Sequence, residues 1–246
     1  MKLQRLRVVV TGAAGSLGAS LCDHLCAGGA EVIGLDLADD FSLEAEREVK
    51  NHFRYYQCDL TNEEAASRIF AQIEDIDVLV NMAGVLHSRL TFSPFEDPKR
   101  LSLDEWQRVV DANLRTAFLA GSLAIEQMVM KRKRGLLINI GSVMAYGEVG
   151  QSAYAAAKAG AQAMSLVWAK ELGPLGIRSL AIAPGFFDSE STNAAMSASK
   201  REEVQSEVPI KRLGGVAELN DCVAMVIEND YLNGTILTLD GGFSLR

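Results

Sequence analysis

The chain has 246 residues, with 24 basic and 32 acidic side chains and a formal net charge of −8. This acidic balance argues against nucleic acid as a partner, because such affinity comes largely from neutralising phosphates with Lys and Arg. No apolar stretch approaches the roughly 20 residues that span a bilayer, so we expect no membrane insertion.

Apolar runs typical of strands alternate with helical segments along the chain, and no linker, repeat or low-complexity segment interrupts them. We predict seven strands, at residues 7–11, 31–36, 54–58, 76–80, 136–140, 177–183 and 235–239. This alternation indicates parallel strands joined by helices on both faces of one sheet. We therefore predict a single α/β domain over residues 1–246, a Rossmann-like doubly wound fold with a seven-stranded parallel sheet.

The turn after the first strand is rich in glycine and runs from Gly12 to Gly18, where a helix has begun. In such a turn backbone amides approach a pyrophosphate, and the helix dipole favours its charge. The second strand ends at Asp36, about 20 residues beyond the glycines, as a dinucleotide fingerprint requires. A carboxylate there accepts the ribose hydroxyls and repels a 2′-phosphate, so we predict NAD rather than NADP. The alternative is an Asp that caps the following turn.

Two polar side chains in the middle of the chain are candidates for chemistry. Asn113 lies among apolar neighbours in a long helical segment, where an Asn is more often a core residue unless its partners are functional. Ser142 follows the predicted strand 136–140, and open α/β sheets place their chemistry at such strand ends. Its hydroxyl is suited to hold a substrate oxygen, although a serine after glycine is also ordinary turn chemistry.

Tyr154 and Lys158 lie four residues apart in an alanine-rich helical stretch, so they project from the same face. A free phenol has a pKa near ~10. A cation within about 4–6 Å lowers the pKa of an acid by roughly 1–3 units. We therefore expect Lys158 to bring Tyr154 near working pH, where general acid–base catalysis is efficient. The pair alone is weak evidence, because any Tyr and Lys on an exposed helix share this spacing.

Taken in order, these motifs resemble the short-chain dehydrogenase/reductase family along essentially the whole chain. Further matching segments are Cys58–Leu60, Asn81–Gly84, Pro184–Gly185 and Leu239–Gly242. The resemblance implies a catalytic tetrad of Asn113, Ser142, Tyr154 and Lys158, with Asn113 holding a water beside the lysine. It implies cofactor contacts from Gly12, Gly15, Ser16, Leu17, Gly18, Asp36, Leu37, Asp59, Leu60, Asn81, Ala83, Gly84, Tyr154, Lys158, Pro184, Gly185, Phe187 and Ser189.

Within the family, the second half is most similar to the type II 3-hydroxyacyl-CoA dehydrogenases, the 17β-hydroxysteroid dehydrogenase type 10-like group. The similarity lies in Gly150–Tyr154, Leu175–Arg178, Ile182–Gly185 and Ile227–Gly234. The 3-oxoacyl-carrier-protein reductases are the other similar group, and they usually use NADP. The resemblance implies an NAD(H)-dependent oxidoreductase acting on a secondary alcohol or ketone, such as a 3-hydroxyacyl thioester. The alternatives are an NADP(H)-dependent biosynthetic ketoreductase and a catalytically silent nucleotide-binding scaffold.

Two departures from the family pattern stand out. Gly15 precedes the position of the usual middle glycine, where this chain has Ser16. Ser142 also precedes Tyr154 by only twelve positions, so the intervening loop is short. We expect the first departure to alter phosphate contacts and the second to affect substrate choice.

The remaining expectations concern the surroundings of the site. Residues 186–210 are predicted to form a mobile lid over a small-molecule substrate. Its aromatic residues either line an apolar pocket or pack inside the protein. Family members are usually homotetramers or homodimers packed through helices near 103–131 and 151–173. The cysteines and histidines show no metal-ligand spacing, so we expect no metal. Unpaired cysteines and the absence of a signal peptide predict a cytoplasmic location.

Overall fold

The structure, a computed structural model, describes residues 1–39 and 52–245 and contains the predicted parallel sheet. The order of its seven strands is β3-β2-β1-β4-β5-β6-β9. The strands are β1 (Arg7–Thr11), β2 (Glu31–Asp36), β3 (Phe53–Gln57), β4 (Val78–Asn81), β5 (Gly135–Ile140), β6 (Ile177–Pro184) and β9 (Ile236–Leu239). A separate two-stranded pair joins β7 (Phe187–Asp188) to β8 (Gly214–Gly215), which we did not predict.

Helices connect the strands. Within the described residues they are α1 (Ser16–Ala27), α2 (Glu63–Phe70), α3 (Leu103–Val110), α4 (Thr116–Met130), α5 (Ser152–Leu172), α6 (Glu190–Ala195), α7 (Ala198–Glu207) and α8 (Val216–Glu228). A π-helical turn, Asp111–Arg115, joins α3 to α4. Short 3₁₀ turns occupy Val143–Tyr146, Gly173–Leu175 and Phe243–Leu245. The predicted α/β class and seven parallel strands are confirmed. The predicted domain also includes residues 40–51 and 246, which lie outside the described residues.

The core has two layers because successive side chains of a strand point to opposite faces. Val8 and Val10 of β1 belong to an apolar cluster with α1 and α8. Val9, between them, belongs to a second cluster with α2, α4 and α5 on the other face. Strands covered on both faces are continuous apolar runs in the sequence. They could therefore be predicted although apolar and polar residues do not alternate along them.

The strand order reverses between β1 and β4, because the chain moves from β3 at one edge of the sheet to β4 beside β1. Connecting helices diverge at such a point, and a crevice opens outside the carboxyl ends of the strands. The carboxyl ends of β1, β2 and β4 therefore border one crevice. β5 adjoins β4 on its other side and brings Ser142 to the same edge of the sheet.

Two kinds of feature are absent from the described part of the chain. Over residues 1–39 and 52–245, no helix is both long and apolar enough to cross a bilayer. In the same ranges, no three His, Cys, Asp or Glu side chains come together as a metal-binding group. The four cysteines are buried and form no disulfide.

Candidate active site

The glycine-rich turn between β1 and α1 depends on two of its glycines. Gly12 has φ +73°, a conformation that favours glycine, and a Cβ there would lie 2.8 Å from the backbone of Ala83. A Cβ on Gly18 would lie 2.0 Å from the carbonyl oxygen of Gly12. Gly15 has an extended backbone that any residue adopts, and the nearest atom to its Cβ would be 3.4 Å away. The departure at Gly15 and Ser16 therefore leaves both sterically essential glycines in place.

A cleft of about 540 Å³ lies beside this turn, within the usual size range of ligand sites. Eleven of the predicted cofactor-binding residues line it: Gly12, Gly15, Ser16, Leu17, Gly18, Asp36, Leu37, Asp59, Leu60, Ala83 and Gly84. The prediction omitted nine other lining residues: Ala14, Leu35, Ala38, Cys58, Thr61, Met82, Val85, Ala112 and Thr116. The predicted contacts Asn81, Tyr154, Lys158, Pro184, Gly185, Phe187 and Ser189 are not among the lining residues.

Asp36 stands at the end of β2 and borders the cleft. Its Oδ2 accepts a hydrogen bond from the Ala14 backbone N–H at 2.9 Å, and its Oδ1 accepts one from Ala38 N–H at 3.2 Å. A carboxylate has about four acceptor sites, so two backbone donors leave capacity for ribose hydroxyls. The carboxylate therefore braces the glycine-rich turn, and its remaining lone pairs are suited to bind a ligand.

The Asn81 side chain takes part in a buried hydrogen-bond network and does not line the cleft. Its buried amide donates to Ala117 O at 3.1 Å and to Asn139 Oδ1 at 2.8 Å. Asn139 in turn donates to Ser165 Oγ at 2.8 Å. This buried network ties β4 to β5 and α5. The turn after β4 is braced by Thr11, whose Oγ1 accepts hydrogen bonds from Met82 N–H and Ala83 N–H.

The side chains predicted beyond β6 are also engaged in packing. The buried Phe187 ring would lie 2.7 Å from a Cβ on Gly214, and the Phe186 ring packs edge-to-face on Phe243 with centroids 5.1 Å apart. The Ser189 hydroxyl accepts a hydrogen bond from Thr192 N–H and caps α6. Both phenylalanine rings therefore pack against other parts of the protein.

Gly185 also serves packing. Its N–H donates to Leu239 O, and a Cβ there would lie 2.7 Å from Cβ of Asp240. Pro184 is buried at the end of β6. Cofactor contacts at this pair would have to come from the backbone.

Asn113 lies in the π-helical turn, and such turns are frequent at functional sites. Its Nδ2 donates to Val85 O and Val109 O, both at 2.9 Å. Its buried Oδ1 has no hydrogen-bond partner in the described part of the chain. A Cβ on Gly84 would lie 2.3 Å from this oxygen and 3.5 Å from Lys158 Nζ. The turn after β4 thus brings Asn113 and Lys158 to one place.

Ser142, Tyr154 and Lys158 meet at the carboxyl end of β5. The Lys158 ammonium donates to Ile140 O at 2.8 Å and lies 5.7 Å from the centre of the Tyr154 ring. Ser142 Oγ accepts a hydrogen bond from Met144 N–H at 3.1 Å, and the Ser142 hydroxyl also bonds to Tyr154. The structure therefore brings together all four predicted catalytic side chains.

The electrostatics of this group correct one expectation. Burial raises the pKa of Tyr154 above its ordinary value, and the hydrogen bond with Ser142 acts in the opposite direction. Burial also lowers the pKa of Lys158 from 10.5 to about 8. We expected Lys158 to bring the pKa of Tyr154 down toward working pH, but that pKa is raised, because desolvation disfavours the charged form of both groups.

The lowered pKa of Lys158 predicts a pH-dependent stability. Below pH 8 the ammonium is charged in both folded and unfolded chains. Between about pH 8 and 10.5 the unfolded chain keeps a proton that the folded chain releases, so the free energy of unfolding rises with pH. The shift corresponds to about 3 kcal/mol. Urea unfolding at pH 7 and pH 10 should show wild type gaining stability relative to Lys158→Met. A pH-independent difference between the two proteins would contradict the assignment.

Comparisons with known proteins agree with this geometry. The family model described as short chain dehydrogenase matches residues 7–201. The chain is 33% identical to human 3-hydroxyacyl-CoA dehydrogenase type-2, over 98% of this chain and 96% of that protein. It is 32% identical to the 3-oxoacyl-[acyl-carrier-protein] reductase FabG of Salmonella typhimurium, over 95% of each.

A solved structure shares the fold. It is an Agrobacterium tumefaciens protein described provisionally as a gluconate dehydrogenase. The TM-score is 0.85 with 26% identity, over 100% of this chain and 98% of that one. Together with the sequence matches, this likeness confirms the predicted family and both similar groups. The chain therefore belongs to the short-chain dehydrogenase family, oxidoreductases that act on hydroxyl or keto groups with a nicotinamide cofactor.

Proposed function

We propose that this protein is an NAD(H)-dependent oxidoreductase that interconverts a secondary alcohol and a ketone. The observation that carries the proposal is the meeting of Ser142, Tyr154 and Lys158 at the end of β5, with Asn113 behind them. A proton donor–acceptor, a hydroxyl and a cation at one strand end are the groups that such a reaction needs.

The residues around the cleft fit a dinucleotide. Side chains at Gly12 and Gly18 would collide with backbone, so the turn offers bare amides to a pyrophosphate at the start of α1. Asp36 would hold the adenosine ribose, and Asp59 and Leu60 border the part of the cleft suited to adenine. Tyr154 and Lys158 stand beyond Gly84, where the nicotinamide end would reach the catalytic group.

The proposed mechanism assigns a task to each side chain. When bound, oxidised nicotinamide would accept the hydride from the substrate carbon that bears the hydroxyl, and its positive charge would lower the pKa of a nearby acid. Tyr154 takes the proton of the substrate hydroxyl, and Ser142 donates its O–H to the same oxygen. Lys158, with a pKa of about 8, can release a proton and take one up again close to neutral pH. Asn113 Oδ1 accepts a hydrogen bond from a water that links Lys158 to solvent.

The preference for NAD rests on Asp36, and Asp36→Asn tests it. The amide keeps an oxygen for one backbone bond but loses the charge that repels a 2′-phosphate. We expect NADH affinity to fall and NADPH affinity to rise, together changing the preference by roughly tenfold to a hundredfold, since hydrogen bonds to charged groups contribute ≈ 1.5–3 kcal/mol. Fluorescence titration with both reduced cofactors measures the change.

The control for this experiment is Asp39→Asn, which makes the same change three residues further on. Asp39 is exposed and does not line the cleft, so its substitution should leave the ratio unchanged. Wild-type protein that already prefers NADPH would overturn the assignment of NAD and favour the biosynthetic ketoreductase.

For the substrate we propose a 3-hydroxyacyl thioester or another apolar hydroxy compound. The support is the similarity to the two thioester-related groups named above. Turnover should be screened with 3-oxoacyl thioesters, steroid ketones and small polar ketones, using the cofactor that binds better. Turnover of polar ketones alone would contradict this substrate class.

We further propose a homotetramer or homodimer in the cytoplasm, with residues 186–210 acting as a lid. Phe118 on α4 and Val167 on α5 are 54% and 50% exposed, and burial against another subunit would remove these apolar surfaces from water.

The lid is held at its base by an ion pair between Arg201 and Asp188, with N···O 2.7 Å. Four buried, unpaired thiols accord with a reducing compartment.

A further inference from the structure

Helix α5 carries a buried glutamine one turn beyond Lys158 that the proposed mechanism does not use. Gln162 is 4% exposed, although a glutamine normally lies at the surface. Its Nε2 donates to the carbonyl oxygen of Ser142 at 2.8 Å, across twenty residues of sequence. Burying an amide is costly unless it is hydrogen-bonded. The bond to Ser142 offsets that cost and at the same time fixes the backbone of Ser142.

Ser142 needs such a bond because it lies beyond the sheet. The last hydrogen bond that continues β5 onto β6 runs from Gly141 N–H to Ile182 O, at 2.7 Å. After it, the donors to the Ser142 carbonyl within residues 1–39 and 52–245 are Ala145 N–H, at 3.2 Å, and the Gln162 amide. Of these two, Gln162 is the one that ties the residue to the helix of Tyr154.

The fit between the glutamine and the strand end is close. A Cβ on Gly141 would lie 2.6 Å from Gln162 Nε2, so the glycine lets the amide reach the next carbonyl. Lys158 donates to Ile140 O, and Ser165 accepts from Asn139. One face of α5 therefore contacts β5 and its extension at residues 139, 140 and 142. These three contacts set the distance between the end of β5 and Tyr154.

We propose that Gln162 is a positioning residue: it holds the backbone of Ser142 so that the Ser142 hydroxyl lies beside the Tyr154 oxygen, where it donates to Tyr154 or, once substrate binds, to the substrate oxygen. The inference rests on the proposed function of Ser142 and Tyr154. A serine hydroxyl has one proton and two acceptor sites. Met144 N–H occupies one acceptor site, so the position of the Ser142 backbone decides where the proton is directed. Misplacement of a catalytic group by about 1 Å can cost 10²-fold in rate.

The test compares Gln162→Met with Gln127→Met. Both remove a glutamine amide from a helix and keep the length of the side chain. Gln127 lies on α4 and donates to Phe70 O and Ile73 O, away from the catalytic group. The control therefore loses amide-to-carbonyl hydrogen bonds of the same chemical kind, without touching Ser142.

We expect Gln162→Met to lower kcat by about tenfold to a hundredfold while the Kd for NADH stays within about threefold of wild type. The Tyr154 pKa should also rise, because the hydrogen bond that lowers it is weakened. The Lys158 ammonium, whose Nζ lies 5.7 Å from the centre of the Tyr154 ring, is unchanged in both variants. Gln127→Met should leave kcat and the Tyr154 pKa unaltered, whatever its effect on thermal stability.

The Tyr154 pKa is measured without a substrate, by NMR of tyrosine labelled with ¹³C at Cζ and assigned with Tyr154→Phe. An unchanged pKa in Gln162→Met, or an equal shift in Gln127→Met, would overturn the inference. If turnover survives in Tyr154→Phe, the proposed function fails instead, and the two failures are thus distinct.

If Gln162→Met does not fold, Gln162→Glu gives a second test. A protonated carboxyl can still donate to Ser142 O, whereas an ionised one repels it. Activity should therefore fall relative to wild type as pH rises through the pKa of that carboxyl. A pH profile parallel to that of wild type would contradict the role of the donor.

Discussion

Replacing Tyr154 with Phe is expected to reduce turnover by roughly 10²- to 10⁴-fold, the range that a positioned general acid–base contributes. The substitution removes only the phenolic oxygen, which bonds to Ser142. The ring still packs in the same place on α5, 5.7 Å from Lys158 Nζ, so the fold is preserved. The cleft residues that bind the cofactor are untouched, and the Kd for NADH should remain within about threefold.

Steady-state kinetics measure turnover, and a fluorescence titration on the same samples measures the Kd for NADH. Tyr231→Phe makes the same chemical change on a side chain that is 99% exposed, and it should leave both unchanged. Turnover of Tyr154→Phe within a few-fold of wild type would refute the proposed mechanism. Loss of cofactor binding together with turnover would show that the ring has a structural role instead.

Replacing Gly18 with Ala is expected to abolish most cofactor affinity. The new Cβ would lie 2.0 Å from the carbonyl oxygen of Gly12, and this oxygen belongs to backbone that has to move. Forced overpacking of this kind costs typically 1–3 kcal/mol. Displacement of the turn also misaligns the amides that face the pyrophosphate. Because each hydrogen bond to a charged group contributes ≈ 1.5–3 kcal/mol, the loss of two weakens binding by about a hundredfold or more.

Gly15→Ala is the matched control for this prediction. It places the same methyl group in the same turn, but the nearest atom would lie 3.4 Å away and the backbone there is extended. We expect affinity to change by less than about tenfold, or 1.4 kcal/mol. Isothermal titration calorimetry of both variants with NADH measures the two affinities. Equal losses of NADH affinity in the two variants would mean that Gly15 contacts the phosphates directly. They would also mean that the contact between a Gly18 Cβ and Gly12 O is not the cause of the loss.

The family, the α/β class and the seven parallel strands were predictable from the sequence, and all are confirmed. These features depend on local patterns. Residues within a strand or a helix have a fixed period, so an apolar run reveals a buried strand and a spacing of four puts Tyr154 and Lys158 on one face. Turn chemistry is equally local, which is why eleven predicted residues line the cleft.

The tertiary structure decided how individual side chains are used. Asn81 belongs to the predicted turn, yet its side-chain amide bonds to Asn139, 58 residues away, and the residue does not line the cleft. Phe187 packs inward, because the short pair β7–β8, which local patterns did not reveal, brings Gly214 against its ring. Gln162 continues the spacing of Tyr154 and Lys158 along α5, but only the fold shows that its partner is Ser142.

The same division applies to the chemistry of Tyr154. Its spacing from Lys158 was determined by the sequence alone, and it indicated a lowered pKa. The direction of the shift was decided by burial, which raises the pKa of the phenol and lowers that of the ammonium. Desolvation depends on every element packed around a site, whereas helical spacing depends on one segment. The sequence thus determined which groups meet, and the tertiary structure decided the environment in which they work.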